Sequence, residues 1–130
     1  LAFVAEDAMR DTVLGIPTIR PQSWRTAGEY ADNLRRHGHR GVTLLVADDA
    51  APGTAPELAD GLARLATDHP GLTIACLGPQ EKACYLARLE ERVKGAALLL
   101  GQGYGGNRNW LLLASLGRHL VVEAKHVVHP

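Results

Sequence analysis

Three stretches carry side chains whose type and spacing could do chemistry. Asp48-Asp49 sets two carboxylates in succession at the end of an apolar run, residues 41–47. The carboxyl end of a buried strand is where open α/β sheets bind ligands. The plainer alternative is that the pair only begins a turn through Pro52-Gly53. Further on, Gly101, Gly103, Gly105 and Gly106 precede Asn107-Arg108-Asn109. A glycine-rich loop that opens a helix can present backbone N–H groups and the positive end of the helix dipole to a phosphate. The third stretch, Glu123-Ala124-Lys125-His126, ends the last apolar run. Glu123 and His126, with His129, offer a carboxylate and imidazoles that suit Mn²⁺ or Zn²⁺ better than Mg²⁺; otherwise they are the polar tips of a strand.

Other reactive side chains have ordinary readings. Cys76 and Cys84 lack a C-x-x-C partner or a His at metal spacing, and are expected as buried or half-buried thiols. His37 and His39 lie among Arg35, Arg36 and Arg40, where cations at a helix end complement its negative dipole. His69 precedes Pro70-Gly71 and reads as the end of a helix.

The elements that must position these residues follow from periodicity. Residues 12–18 form a short apolar run, a strand expected to stop at Pro17. Trp24, Ala27, Ala31 and Leu34 share one stripe of a helix over residues 23–37, with Ser23 able to cap its start and Gly38 its end. Residues 41–47 and 72–77 read as buried strands. Between them Thr54 and Glu57 have capping-box spacing for a helix to about Asp68 that buries Leu58, Leu62 and Leu65. A helix over about residues 80–94 carries Tyr85, Leu86, Leu89 and Val93 on one face and mixed charge on the other. Residues 96–100 fit either a fourth strand or the tail of that helix, residues 110–116 an apolar helix, and residues 119–123 a final strand. This alternation predicts an α/β fold, a mostly parallel sheet with helices on both faces.

At 130 residues the chain suits one domain. Its 14 basic and 14 acidic side chains cancel, which leaves no bulk electrostatic case for nucleic acid or an anionic membrane. No stretch approaches the roughly 18–20 apolar residues of a membrane span, nor does a basic-then-apolar leader open the chain. A cytoplasmic protein with a small molecule or another protein as partner is expected.

Three motifs in order carry a resemblance. Gly15-Ile-Pro-Thr-Ile-Arg-Pro21, Leu45-Val-Ala-Asp-Asp-Ala-Ala-Pro-Gly-Thr54, and Gly105-Gly-Asn-Arg-Asn109 through Gly117 resemble the nucleotide-binding half of family-two glycosyltransferases with the A-type, Rossmann-like fold. The resemblance spans about residues 12–126, with residues 56–100 matching only in general layout. It implies binding of a UDP- or GDP-linked sugar. Pro17, Thr18 and Arg20, with Asp48 or Asp49, would hold base and ribose; Arg108 would approach the diphosphate and Asn109 would brace the loop.

The sequence also departs from the family pattern. Ile19 stands where the family has Asn. The family's Asp-x-Asp, which holds a divalent Mn²⁺ or Mg²⁺ on the diphosphate, falls on Ala124 and His126, or on Glu123 and Lys125 one residue earlier. Lys125 could instead place a fixed positive charge near the phosphates. The acceptor half with its catalytic base has no counterpart here, so residues 1–130 are expected to be one truncated or reduced domain. Two functions follow: a glycosyltransferase-like domain that binds a nucleotide sugar and transfers it if active, or a non-catalytic relative serving as a protein-interaction or assembly module, including a homo-oligomer.

Overall fold

The computed structural model of the protein describes residues 11–49, 55–95, 98, 100, 103–115 and 119–122. Along the chain run β1 (Thr12–Thr18), α1 (Ser23–Arg36), β2 (Thr43–Asp48), α2 (Ala55–Asp68), β3 (Thr73–Leu77), α3 (Pro79–Arg92), α4 (Gly103–Ala114) and β4 (His119–Val122). The described strands pair in parallel in the order β3-β2-β1-β4. The fold is therefore α/β with a parallel sheet, as expected, and its strand order is compatible with a Rossmann-like fold.

The pleat sorts β2 between two layers. Leu44 and Val46 pack with Ile16 and Ile74 against Ala27, Ala31, Leu34, Leu58 and Leu62 of α1 and α2. Leu45, out of phase with them, joins Leu77, Leu86, Leu89 and Trp110 on the α3–α4 side. Right-handed crossovers require this division, because the chain steps one way from β1 to β3 and then returns across β1 to reach β4. α1 and α2 approach closely at Gly61, where a Cβ would stand 2.3 Å from Trp24 Cγ.

Several local expectations change. Pro17 does not end β1, which continues to Thr18 with Pro17 in register with Ala47. The Thr18 carbonyl accepts from the Asp49 N–H at 2.8 Å. Backbone groups alternate between neighbouring strands along a parallel ladder, so Pro17 faces the β4 side, beyond the last described pair, Gly15 with Val122. Its missing N–H costs no bond to β2.

Ser23 does not cap α1; its hydroxyl hydrogen-bonds the Thr18 hydroxyl instead. Gly38 does close that helix, in the left-handed conformation (φ +72°) with its N–H on Arg35 O and the His39 N–H on Leu34 O, the paired bonds of a Schellman ending. His69 does more than end α2: it is buried, and its Nε2 lies 3.3 Å from Asp32 Oδ1 of α1. Leu86 and Leu89 pack inward as expected, but Val93 lies past the end of α3 and is exposed, and Tyr85 meets Trp110 edge-on at 6.0 Å.

The largest revision concerns the glycine-rich stretch. Residues 103–109 are the first turns of α4 rather than a loop before a helix, and Leu98 and Leu100 are helical rather than a strand. The cap expected at Thr54 lies outside the described residues. No described helix is long and apolar enough to cross a membrane.

Candidate functional site

The carboxyl end of β2 divides Asp48 from Asp49. Successive side chains on a strand point to opposite faces, and the contacts here follow that rule. The Asp48 side chain, 1% exposed, is in phase with Leu44 and Val46 and lines a cleft on the α2 side. That cleft holds about 460 Å³ and is bounded by Pro56 and Ala59 of α2, Cys76 of β3, and the turn into α3 at Gly78, Gln80 and Glu81. The Asp49 carboxylate turns the other way, 3.9 Å from Lys82 Nζ. The two acids sit back to back and do not form a shared ligand pair.

Lys82 and Asn107 secure this edge from the α3–α4 side. Gly78-Pro79 starts α3, and the Glu81 carboxylate folds back to accept the Gly78 N–H at 3.0 Å. That start fixes the first turn, from which Lys82 reaches back to the sheet. Its ammonium donates to the Asp48 carbonyl at 2.8 Å and to Asn107 Oδ1 at 2.7 Å. Asn107, 3% exposed, in turn donates from Nδ2 to the Ala47 carbonyl at 2.7 Å. One lysine and one carboxamide thus tie β2 to two helices.

The same burial tunes two groups in opposite senses. Burial, reinforced by the negative charges of Asp48 and Glu81, pushes the Cys76 thiol up to about 11, while Lys82 pulls the other way. Burial also lowers the Lys82 ammonium below its ordinary value, against the pull of Asp49, Asp48 and Cys76. At neutral pH Cys76 is thus a neutral thiol and a poor nucleophile. Cys84 is exposed, contrary to the half-buried environment expected from sequence.

The turn after β1 is built by Thr18. Its hydroxyl accepts the Arg20 N–H at 2.9 Å and contacts the Arg20 carbonyl and the Ser23 hydroxyl. Thr18 is 5% exposed, and its hydroxyl is engaged within the turn. Pro17 is buried in β1. The Arg20 side chain is exposed beyond the strand end.

The structure therefore brings Pro17, Thr18, Asp48 and Asp49 to one edge of the sheet. On α4, Arg108 is half-buried, Asn109 is exposed, and Asn107 braces β2 through the Ala47 carbonyl. Lys125, Glu123 and His126 lie outside the described residues. Among the described residues no group of three His, Cys, Asp or Glu is arranged to hold a metal ion. Lys82 and the Cys76 cleft escaped the sequence reading. The available signal was positional: Cys76 is the penultimate residue of the strand adjacent to β2, and Lys82 lies one turn into the helix that follows.

Comparison with protein-family models, with curated proteins and with solved structures finds no match to this chain.

Proposed function

We propose that the chain binds a nucleotide sugar at the carboxyl edge of its sheet, as the nucleotide-binding half of a glycosyltransferase-like domain of the A type. The observation that carries this reading is the 460 Å³ cleft lined by the buried Asp48 carboxylate at the ends of β2 and β3. Clefts of this size take small ligands, and the carboxyl ends of the strands are the edge at which parallel α/β sheets bind them; this cleft lies one strand away from the β1–β4 switch point. Asp48 accepts hydrogen bonds from the base or ribose, and Lys82 and Asn107 hold its backbone in place. Arg20 and Arg108 are the guanidinium groups suited to the diphosphate. The divalent metal of the A-type pattern, Mn²⁺ or Mg²⁺, would fall to Glu123 and His126. Sugar transfer, if the domain is active, requires an acceptor site beyond these residues.

The test is thermal. A UDP- or GDP-sugar should raise the melting temperature of the wild type, and Asp48→Ala should remove the shift. No shift with either donor, with and without Mn²⁺, would sink the reading. Turnover is read separately as release of free nucleotide when candidate acceptors are added.

A second reading, an assembly module, draws on exposed apolar side chains: Leu98 is 89% and Leu112 57% exposed. It predicts a stable dimer in light scattering that Leu98→Glu or Leu112→Glu disrupts; a monomer would count against it.

A further inference from the structure

Among the described residues β3 is the outer strand on its side of the sheet, with β2 on one flank and no strand on the other. The Thr73 N–H donates to the Val42 carbonyl on the β2 side. Backbone groups alternate sides along a parallel ladder, so Thr73, Ala75 and Leu77 turn theirs to β2, and Ile74 and Cys76 turn N–H and C=O outward. Natural edges are guarded by charge, proline or a bulge. Thr73–Leu77 carries neither charge nor proline and keeps an unbroken register with β2.

The flanking helices leave this edge apolar. On α2, Leu58 and Leu62 pack into the core and Gly61 meets Trp24 of α1. By helical phase the side of α2 away from α1 carries Ala59, Ala63 and Ala66, and Ala59 lines the cleft beside Cys76 accordingly. On α3, Leu86 and Leu89 pack inward while Lys82 and Tyr85 reach Asn107 and Trp110 of α4. The side away from α4 carries Ala83 and Ala87. Ala59, Ala63, Ala83 and Ala87 are all exposed.

We propose that β3 pairs antiparallel with β3 of a second copy of this chain, about a two-fold axis at Ala75. Ile74 then stands opposite Cys76 of the second copy, and the two exchange both N–H···O bonds as a closely spaced antiparallel pair does. The symmetric pair completes the set, and every outward group of β3 is satisfied. Slipped registers fail. Setting Ile74 against itself brings Cys76 to Leu72, whose N–H is held by the His69 carbonyl; setting Cys76 against itself brings Ile74 to Gly78, whose N–H is held by Glu81. Area favours a second copy over a lone peptide strand. A stable interface buries about 800 Å² on each partner, more than a five-residue strand edge offers. A second copy also brings its own α2 and α3, so that alanine rows meet on both faces of the joined sheet, and small side chains let helices approach to about 8 Å. This contact is independent of what the Asp48 cleft binds and lies on a different face from Leu112.

The test begins with light scattering and sedimentation equilibrium, in which the wild-type chain should be a dimer. Five residues back from the end of α2 and two residues into β3 both span about 7 Å, so Ala63 lies level with Ala75 and close to its own mate. Ala63→Glu should weaken association by on the order of 100-fold, because the axis sets the new carboxylate against itself. Ala63→Lys should do the same, and mixing the two variants should restore the dimer. The position is exposed and both residues are good helix formers, so each variant should keep its helix content by circular dichroism. Leu112→Glu should leave this dimer intact. Amide exchange needs no substitution: the N–H groups of Ile74 and Cys76 should exchange more slowly in the dimer than in the diluted monomer, and this readout decides alone if a variant fails to fold. A wild-type chain that stays monomeric would overturn the proposal. A dimer that survives Ala63→Glu would do so too, as would folded variants whose mixture stays monomeric, or Ile74 and Cys76 amides that exchange equally fast in dimer and monomer.

Discussion

Asn107 donates to the Ala47 carbonyl and accepts from Lys82, so a single buried carboxamide joins β2, α3 and α4. Removing it leaves a strand carbonyl and an ammonium each short of a partner, and an unsatisfied buried group costs about 1–3 kcal/mol. Asn107→Leu should therefore lower stability by that order in urea unfolding, and Asn109→Leu, at an exposed position two residues on, by clearly less. Equal effects would show that the carboxamide bridge does not hold the edge. The thiols make a second contrast. Cys84 is exposed, whereas the Cys76 thiol is pushed up to about 11 by burial and by the acids beside it. Iodoacetamide at pH 8 should label Cys84 first, and the Cys76 rate should keep climbing toward pH 11 because the thiolate is the reacting form. Mass spectrometry of the labelled peptides reads both; early labelling of Cys76 at pH 8 would contradict the environment described.

The α1–α2 pair rests on a residue with no side chain. Gly61 lies in mid-helix, where alanine would ordinarily gain about 1 kcal/mol. An added Cβ would meet Trp24 at 2.3 Å from Cγ and 2.7 Å from Cβ, and both atoms lie close to the helix backbone, where the ring cannot swing aside. Overpacking of this kind costs about 1–3 kcal/mol, so Gly61→Ala should lower the urea midpoint, and Trp24→Ala in the same chain, which removes the Cγ and Cδ1 contacts, should lower it by less than the sum of the two single changes. An unchanged or higher midpoint in the single variant would mean that the helices separate freely. Elements of this kind were only half legible in the sequence. The stripe of Ala27, Ala31 and Leu34 and the apolar runs of β1, β2 and β3 declare themselves by period, because burial on one or both faces dictates them. Gly61 does not, since its reason lies across an interface. The glycines at 103, 105 and 106 misled for a related cause: glycine predicts a loop through its backbone freedom, and packing of Asn107, Trp110 and Leu111 draws the stretch into α4. At the site, Asp48-Asp49 was legible from its place after a buried run. Lys82 was not, since nothing in 34 residues of separation hints that its ammonium reaches the Asp48 carbonyl.

For the molecule as a whole, the two tuned groups at the carboxyl edge set a stability profile at alkaline pH. Cys76 goes from its ordinary 9.0 to about 11 on folding. Below pH 9 both states keep the proton. From there to pH 11 the unfolded chain releases it first, the folded chain binds more protons, and stability falls as pH rises. Lys82 acts in the opposite sense: it is lowered from 10.5, so between its folded value and 10.5 the unfolded chain binds more protons and stability rises with pH. The two contributions oppose each other where their windows overlap. Lys82→Met removes the rise and also the positive charge that restrains the Cys76 shift, so its loss of stability between pH 9 and 11 should be steeper than that of the wild type. Cys76→Ala removes the fall, and with it one of the charges that hold the Lys82 value up, and so should flatten the decline. Urea midpoints from pH 8 to 11, taken as differences from the wild type so that other titrating groups cancel, measure both slopes. Parallel curves for all three proteins would mean that neither group titrates differently in the folded chain, and that the carboxyl edge is more open to water than its contacts indicate.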